Sequence, residues 1–236
     1  MFPRVHPLWH KSKLDLCHPD FETYPEAATL IPTVVDVQAG DVLYIPPYVW
    51  HRVVTTSDVS LSLSTLSHDD VLRDAMSSIY KMDHKFDRLA SVEGQRYAFR
   101  LYVDLLVNEM VGYKATQHYI QTLLWERYQG LEHLFESEES LCDATTIPTA
   151  QHVYGDCVTD MRLVTAEFEQ IPAIEVRDLL LADYIEELAA QIVGGKQVYA
   201  FFRSCFQGQD YEVTELGTPA HELWEYAIQH REEEDE

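Results

Sequence analysis

The stretch AGDVLYIPPYVWH occupies residues 39–51 and carries the densest pattern in the chain. A turn signal at Ala39-Gly40-Asp41 precedes a short apolar run. Pro46-Pro47 ends that run, because proline cannot donate a hydrogen bond to a sheet ladder. Aromatic residues then lead to His51, where the next apolar run begins. This arrangement predicts two short strands separated by the prolines, with an imidazole aimed inward.

The flanking residues predict further strands, because apolar side chains alternate over short runs bounded by turn residues. The predicted strands are 33–38, 42–45, 50–55 and 59–65. In the last of these, a period of two places the aliphatic side chains on one face and the serines on the other. The serine face comprises Ser60, Ser62 and Ser64.

Residues 39–51 resemble the late motif of the JmjC (Jumonji C) family of cupin-fold oxygenases, which in its small hydroxylase-like branch begins with G-D-x-L-Y-I-P and ends with W-H. The preceding Val5-His6-Pro7, Leu14-Asp15 and residues 19–25 resemble the loop that these enzymes carry before the motif. The resemblance covers residues 1–67. It implies the C-terminal half of a double-stranded β-helix (cupin/JmjC) over these residues. Together with the all-α helical region predicted after them, the expected fold class is α+β.

The resemblance also implies a metal site. Such enzymes hold Fe(II) with an early H-x-D/E pair and a late histidine, which leaves positions open for 2-oxoglutarate and oxygen. By its place in the motif, His51 corresponds to the late histidine. Ser62 and Ser64 are candidates for lining the cosubstrate pocket. The competing interpretation is that the alternating serines simply face solvent.

The early ligand pair has no good candidate in this sequence. His18-Pro19-Asp20 lies too close to His51 for the several intervening strands of about five residues each. His68-Asp69-Asp70 follows His51 and is better explained as a helix cap. We therefore expect the chain to be either a fragment of a longer protein or a degenerate remnant. One imidazole cannot hold Fe(II) usefully, so we expect no turnover by this chain alone.

From about residue 67 onward the spacing of apolar residues becomes helical. The predicted helices are 71–85, 93–110, 115–130, 173–193, 196–206 and a last one from Thr218, with a loop at 136–150. The predicted domains are a partial barrel (1–67), a helical region (68–230) and an acidic disordered tail (231–236). Helix 93–110 is apolar over nearly a full turn. It is therefore either the centre of the helical region or a homodimer interface.

Composition and charge limit the classes of binding partner and the cellular compartments that fit this sequence. The 236 residues include 17 basic and 40 acidic side chains, a net charge of −23, of which −20 falls on residues 68–236. This charge excludes direct nucleic-acid and anionic-membrane binding, because it repels phosphate. The chain lacks a bilayer-length apolar run and a signal peptide pattern, which predicts an intracellular protein, cytoplasmic or nuclear. Four widely spaced cysteines without a C-x-x-C motif predict reduced thiols.

Three classes of function follow. The first is an Fe(II)- and 2-oxoglutarate-dependent oxygenase that hydroxylates or demethylates a protein side chain, present here in an incomplete or inactive form. The second is a non-catalytic interaction protein whose acidic helices bind a basic protein partner. The third, a metal-free or isomerase-type cupin, is disfavoured by the Trp50-His51 ending of the motif.

Overall fold

The computed structural model describes residues 1–67, 69–135, 141 and 150–206 of the chain. Within these residues the architecture is helical. The α-helices are α1 (Asp70–Tyr80), α2 (Val92–Met110), α3 (Thr116–Tyr128), α4 (Ala150–Glu169), α5 (Ile174–Val193) and α6 (Val198–Phe206). Short 3-10 turns occur at Pro25–Thr29, Lys85–Arg88, Glu132–Leu134 and Gly195–Gln197.

Helix α2 lies at the centre of the core. Its side chains Phe99, Tyr102, Val103 and Leu106 have no exposed surface, and the helix packs against α3, α4 and α5. The Ser91 hydroxyl accepts a hydrogen bond from the Gly94 N–H at 3.0 Å and thereby caps the first turn. The interpretation of this helix as the centre of the helical region is therefore confirmed, while the homodimer remains a prediction.

The other helix boundaries follow the sequence pattern in part. Helix α5 ends at Val193 as predicted, and Gly194 adopts a φ of 85°, which a residue with a Cβ tolerates poorly. Helix α1 ends at Tyr80, earlier than predicted, because the chain turns into the 3-10 segment Lys85–Arg88. The predicted loop 136–150 lies outside the described residues except for Leu141 and Ala150, where α4 begins. The helix predicted from Thr218 and the acidic tail also lie outside them.

Helix α4 is not among the helices predicted from the sequence. It packs against α1 and α2. Its buried side chains recur every three or four residues, the spacing of one helix face. They are Val153, Cys157, Met161, Val164 and Phe168. The signal is present in the sequence, but polar residues on the other face dilute it.

The predicted half barrel is wrong for the described residues, among which no strand is found. The predicted turn does form: Gly40 has a φ of 96°, and the Asp41 N–H donates to the Gln38 carbonyl at 3.0 Å. The flanking segments are extended without a ladder, and Val42 is 96% and Leu61 99% exposed. Alternation identifies the two faces of a strand but supplies no neighbour, and no other described segment pairs with this one.

The first residues of the chain lie against the helices. The Arg4 backbone N–H donates to Glu186 Oε2 at 2.9 Å, and Lys13 Nζ donates to the Gln129 carbonyl, near the end of α3, at 2.8 Å. Pro3 is buried. These contacts cross the domain boundary predicted at residue 67, and they attach residues 1–14 to the helical part.

The cysteines are not all reduced. Cys17 and Cys157 are free thiols, but Cys205 is disulfide-bonded, so the prediction of reduced thiols is wrong for Cys205.

The described tryptophan side chains, Trp9, Trp50 and Trp125, are all exposed to solvent.

Within the described residues, no helix combines the length and apolarity that crossing a membrane requires.

Candidate functional site

His51 lies in the extended segment that follows the turn at Pro46-Pro47. In that turn the Val49 N–H reaches the Pro46 carbonyl at 3.4 Å, and Tyr48 adopts a positive φ of 59°. The His51 ring is exposed, and its Nδ1 lies 3.0 Å from the Val49 carbonyl oxygen. A proton on Nδ1 would donate to this carbonyl, which leaves Nε2 as the nitrogen able to bind a metal.

The described residues do not provide His51 with a second and third iron ligand. Among them, one group of three metal-ligating side chains comes together, and it consists of Asp15, Cys17 and His18 without His51. Stable sites for Fe(II) or similar ions need about three protein ligands in fixed geometry. The residues described around His51 therefore do not fit the iron site that the resemblance implies.

The serines proposed for the cosubstrate pocket are all exposed. Ser60, Ser62 and Ser64 lie in the extended segment after the bend at Ser57-Asp58. The His51 ring is likewise exposed. Their assignment to a 2-oxoglutarate site remains a prediction that rests on the resemblance alone.

The two H-x-D matches also have local explanations. The Asp20 carboxylate accepts the backbone N–H groups of Glu22 at 3.1 Å and Thr23 at 3.0 Å, which stabilises a turn. The Asp69 carboxylate accepts the Leu72 N–H at 3.0 Å and caps helix α1, as the sequence predicts. His68 lies outside the described residues.

A buried polar network in the helical core has no counterpart in the sequence predictions. His84 precedes the 3-10 turn Lys85–Arg88, and its Nε2 lies 2.9 Å from the Tyr184 hydroxyl of α5. That hydroxyl lies 2.8 Å from the Tyr102 hydroxyl of α2. On the other side of the ring, His84 Nδ1 lies 3.7 Å from Asp160 Oδ2 of α4. The Lys85 N–H donates to the same carboxylate oxygen at 2.9 Å.

Burial sets the charge states in this network. It lowers the pKa of His84 against the opposing pull of the Asp160 carboxylate, so the neutral imidazole is favoured. Burial likewise raises the pKa of Tyr102 and Tyr184, so both hydroxyls stay protonated. Because all four side chains are buried, they cannot meet a substrate from solution. The network joins α2, α4 and α5 and acts as a structural element.

A second buried cluster joins α3 to α5. Arg127 Nη1 donates to Asp183 Oδ1 and to Glu186 Oε2, each at 2.6 Å, and Arg127 Nη2 reaches the Leu179 carbonyl at 3.2 Å. Burial alone would lower the Arg127 pKa, but the two carboxylates outweigh it and raise the pKa. Burial raises the pKa of Glu186, while Arg127 opposes that shift.

The start of the chain also contacts this cluster, because the Arg4 backbone N–H donates to Glu186. The Arg4 side chain pairs with Glu187 at 2.7 Å, and its guanidinium lies 3.8 Å from the centroid of the Trp9 ring. An open groove of ≈ 500 Å³ follows this contact along the end of α5, lined by Arg4, Val5, Trp9, Glu187, Ala190, Gln191 and Gly195. The charge of Arg4 and one face of Trp9 are thus engaged within the chain.

Comparison with known proteins bears on the first quarter of the chain. A family model described as a cupin-like domain matches residues 5–66. Residues 5–66 are cupin-like in sequence. The match confirms the predicted similarity to the cupin and JmjC-type family over this segment, and it does not extend to the helices. No solved structure matches the chain.

The charged cluster of α3 and α5 leaves a weak signal in the sequence. Arg127 falls between Leu124 and Tyr128 on the apolar face of α3, and an arginine at such a position needs buried acidic partners. Asp183 and Glu186 are three residues apart within the apolar run of α5, where they provide those partners. A search for charged residues at core positions of predicted helices would have found this cluster.

Proposed function

We propose that the cupin-like segment derives from a JmjC-type Fe(II)- and 2-oxoglutarate-dependent oxygenase of the protein hydroxylase or demethylase class. We propose further that the chain is an incomplete form of such an enzyme and does not turn over substrate. The family match over residues 5–66 supports the first part. The late motif at residues 39–51 supports it further, because it ends in the histidine that such enzymes use as an iron ligand.

The observation that carries the second part is the isolation of His51. Its exposed ring is accompanied by a backbone carbonyl and by no cluster of metal-ligating side chains among the described residues. A single imidazole exchanges its metal rapidly, because the chelate effect of further ligands is missing. Without a held metal, 2-oxoglutarate has nothing to bind against, and no oxidation step can begin.

The test is an anaerobic titration of the full chain with Fe(II) in the presence of 2-oxoglutarate, followed by a succinate assay in air. We expect no stoichiometric iron binding that depends on His51 and no succinate above that of protein-free buffer. His51→Ala is the diagnostic variant, and His118→Ala, which removes an exposed histidine of α3, is its control. Stoichiometric binding that His51→Ala abolishes and His118→Ala preserves would show that the proposal of an inactive form is wrong.

Charge supports a second candidate function, that of an acidic interaction protein. Residues 68–236 carry a net charge of −20, and the helices around α2 form their own core. Such a surface attracts a basic protein partner through long-range electrostatics, and the attraction weakens as salt rises. Capture of basic proteins at low salt that is lost on removal of residues 232–236 would favour this function over the oxygenase lineage.

A further inference from the structure

We propose that Asp15, Cys17 and His18 form a binding site for a borderline divalent cation such as Zn²⁺. The site lies in the loop that follows the segment attached to the helices. It is separate from the iron site implied by the resemblance, and it does not use His51. The proposal is independent of the proposed function above.

The geometry of the loop brings the three donor groups together. One carboxylate oxygen, one sulfur and one imidazole nitrogen all lie within 4.8 Å of one another. The Cys17 backbone N–H donates to Asp15 Oδ1 at 2.8 Å, which closes a tight turn. Within that turn, His18 Nδ1 lies 3.4 Å from Asp15 Oδ2. The turn thus presents three different ligand types from a stretch of four residues.

These separations are close to those around a bound ion. With bonds of roughly 2.0–2.3 Å in a tetrahedral site, neighbouring donor atoms lie about 3.3–3.7 Å apart. The loop has to contract by only about an ångström or slightly more to reach such spacing, by the same bond lengths. All three residues are exposed, so this contraction is not opposed by core packing.

The chemical nature of the three donor atoms determines which class of metal ion fits the site. Thiolate and imidazole favour borderline and soft ions, whereas Ca²⁺ and Mg²⁺ require sets of oxygen ligands. A cysteine, a histidine and an aspartate are three of the ordinary zinc ligands, and a water molecule can take the fourth position. Zn²⁺ and its spectroscopic substitute Co²⁺ therefore match this donor set.

Exposure makes Cys17 the thiol that a metal ion from solution can reach. Among the described residues, the free cysteines are Cys17, which is exposed, and Cys157, which is buried. Burial raises the pKa of Cys157 to about 12, which keeps that thiol out of metal chemistry at neutral pH.

The loop is fixed to the helical part immediately before the cluster. Lys13 Nζ donates to the Gln129 carbonyl at 2.8 Å and reaches the Glu126 carbonyl at 3.5 Å. The Leu14 N–H donates to Ser12 Oγ at 3.0 Å. The first ligand, Asp15, therefore follows a local turn whose Lys13 side chain is bonded to the end of α3, and this attachment limits the conformational freedom that the loop loses when it closes on a metal.

The test is a titration of the full chain with Co²⁺ in buffer free of thiol reductant, followed by ultraviolet absorbance. We expect a thiolate-to-cobalt charge-transfer band that saturates at one equivalent and is displaced by Zn²⁺. Cys17→Ser should abolish the band, and His18→Ala should weaken Co²⁺ binding at least tenfold, since one of three ligands is lost. His10→Ala removes another exposed histidine of the same segment and should leave the titration unchanged.

Three outcomes would overturn the proposal: absence of the band, a band that persists in Cys17→Ser, or equal weakening by His10→Ala and His18→Ala. Circular dichroism of each variant verifies that the helices remain folded. His51→Ala distinguishes this site from the iron test above, because it should leave the cobalt band intact.

Discussion

At the scale of single residues, His84 shows how burial changes the pKa of a side chain. The ring is 2% exposed, it stacks on Phe86 with ring centroids 4.9 Å apart, and its Nε2 is paired with the Tyr184 hydroxyl. Asp160 faces its other nitrogen, and Asp83 and Asp87 also favour the charged ring. Desolvation is the larger effect, so the pKa of His84 falls below its ordinary value of 6.5.

This shift makes stability depend on pH. Because the folded protein binds the His84 proton less tightly than the unfolded chain does, stability is intact above pH 6.5 and is lost as the pH falls from 6.5 towards the folded pKa. We expect His84→Gln to be less stable than the original at pH 8, and the gap to narrow at pH 5.

Urea denaturation at the two pH values measures the free energy of unfolding of each variant. His118→Gln, which removes an exposed ring of α3, should keep the pH dependence of the original protein. A gap between His84→Gln and the original that widens on acidification would contradict the argument.

At the scale of elements, the pairing of α3 with α5 depends on a buried charge cluster. Arg127 lies between Asp183 and Glu186, and side chains at all three positions are 8% exposed or less. Removing the arginine leaves two carboxylates in the core without a counter-charge. The cost of breaking such a buried pair is about 3–5 kcal/mol.

We therefore expect Arg127→Met to lower the free energy of unfolding by about 3–5 kcal/mol. Glu186→Gln in the same background should recover part of the loss, because it removes one uncompensated charge. The measurement is again urea denaturation. Arg73→Met is the matched control, since Arg73 pairs with Asp70 and Asp74 at the surface, and it should shift the urea midpoint little. An equal effect of the two methionine variants would refute the assigned role of the cluster.

The elements also show what the sequence can and cannot predict. Helices α2 and α5 are predictable because a helix makes its hydrogen bonds within itself, so periodicity and a glycine stop suffice. Helix α4 is not predicted because its apolar face is narrow. The predictions of strands at 42–45 and 59–65 are wrong because a strand needs a partner strand, which the local sequence pattern does not identify. The Asp15, Cys17 and His18 cluster depends on the geometry of a turn, which the spacing of these residues along the chain does not specify.

At the scale of the whole molecule, the described parts of the chain differ strongly in how far they are shielded from solvent. Residues 31–67 are exposed almost throughout, whereas α2 and α5 fill the core. Residues 1–14 are attached to α3 and α5 by Lys13 and Arg4. The long extended segment therefore runs between two places where the chain is held.

This distribution predicts where a protease cuts first among the described residues. Chymotrypsin should cleave beside Leu43, Tyr44 or Trp50, because an exposed, unpaired backbone fits a protease cleft without local unfolding. Phe99 and Tyr102 in α2 offer the same chemistry but are fully buried, and they serve as internal controls. Mass spectrometry of early digests identifies the cuts. Cleavage in α2 before cleavage at residues 43–50 would contradict the buried position of α2 and the exposed position of residues 31–67.

The distribution of aromatic residues has an optical consequence. The described indoles, Trp9, Trp50 and Trp125, face solvent, while the core contains phenylalanine and tyrosine rings such as Phe99, Tyr102 and Tyr184. Tryptophan emission of these three residues thus begins near the wavelength of hydrated indole and changes little when the helices melt. Tyrosine absorbance in the near ultraviolet, sensitive to the paired hydroxyls of Tyr102 and Tyr184, is the natural light-based reporter of this core.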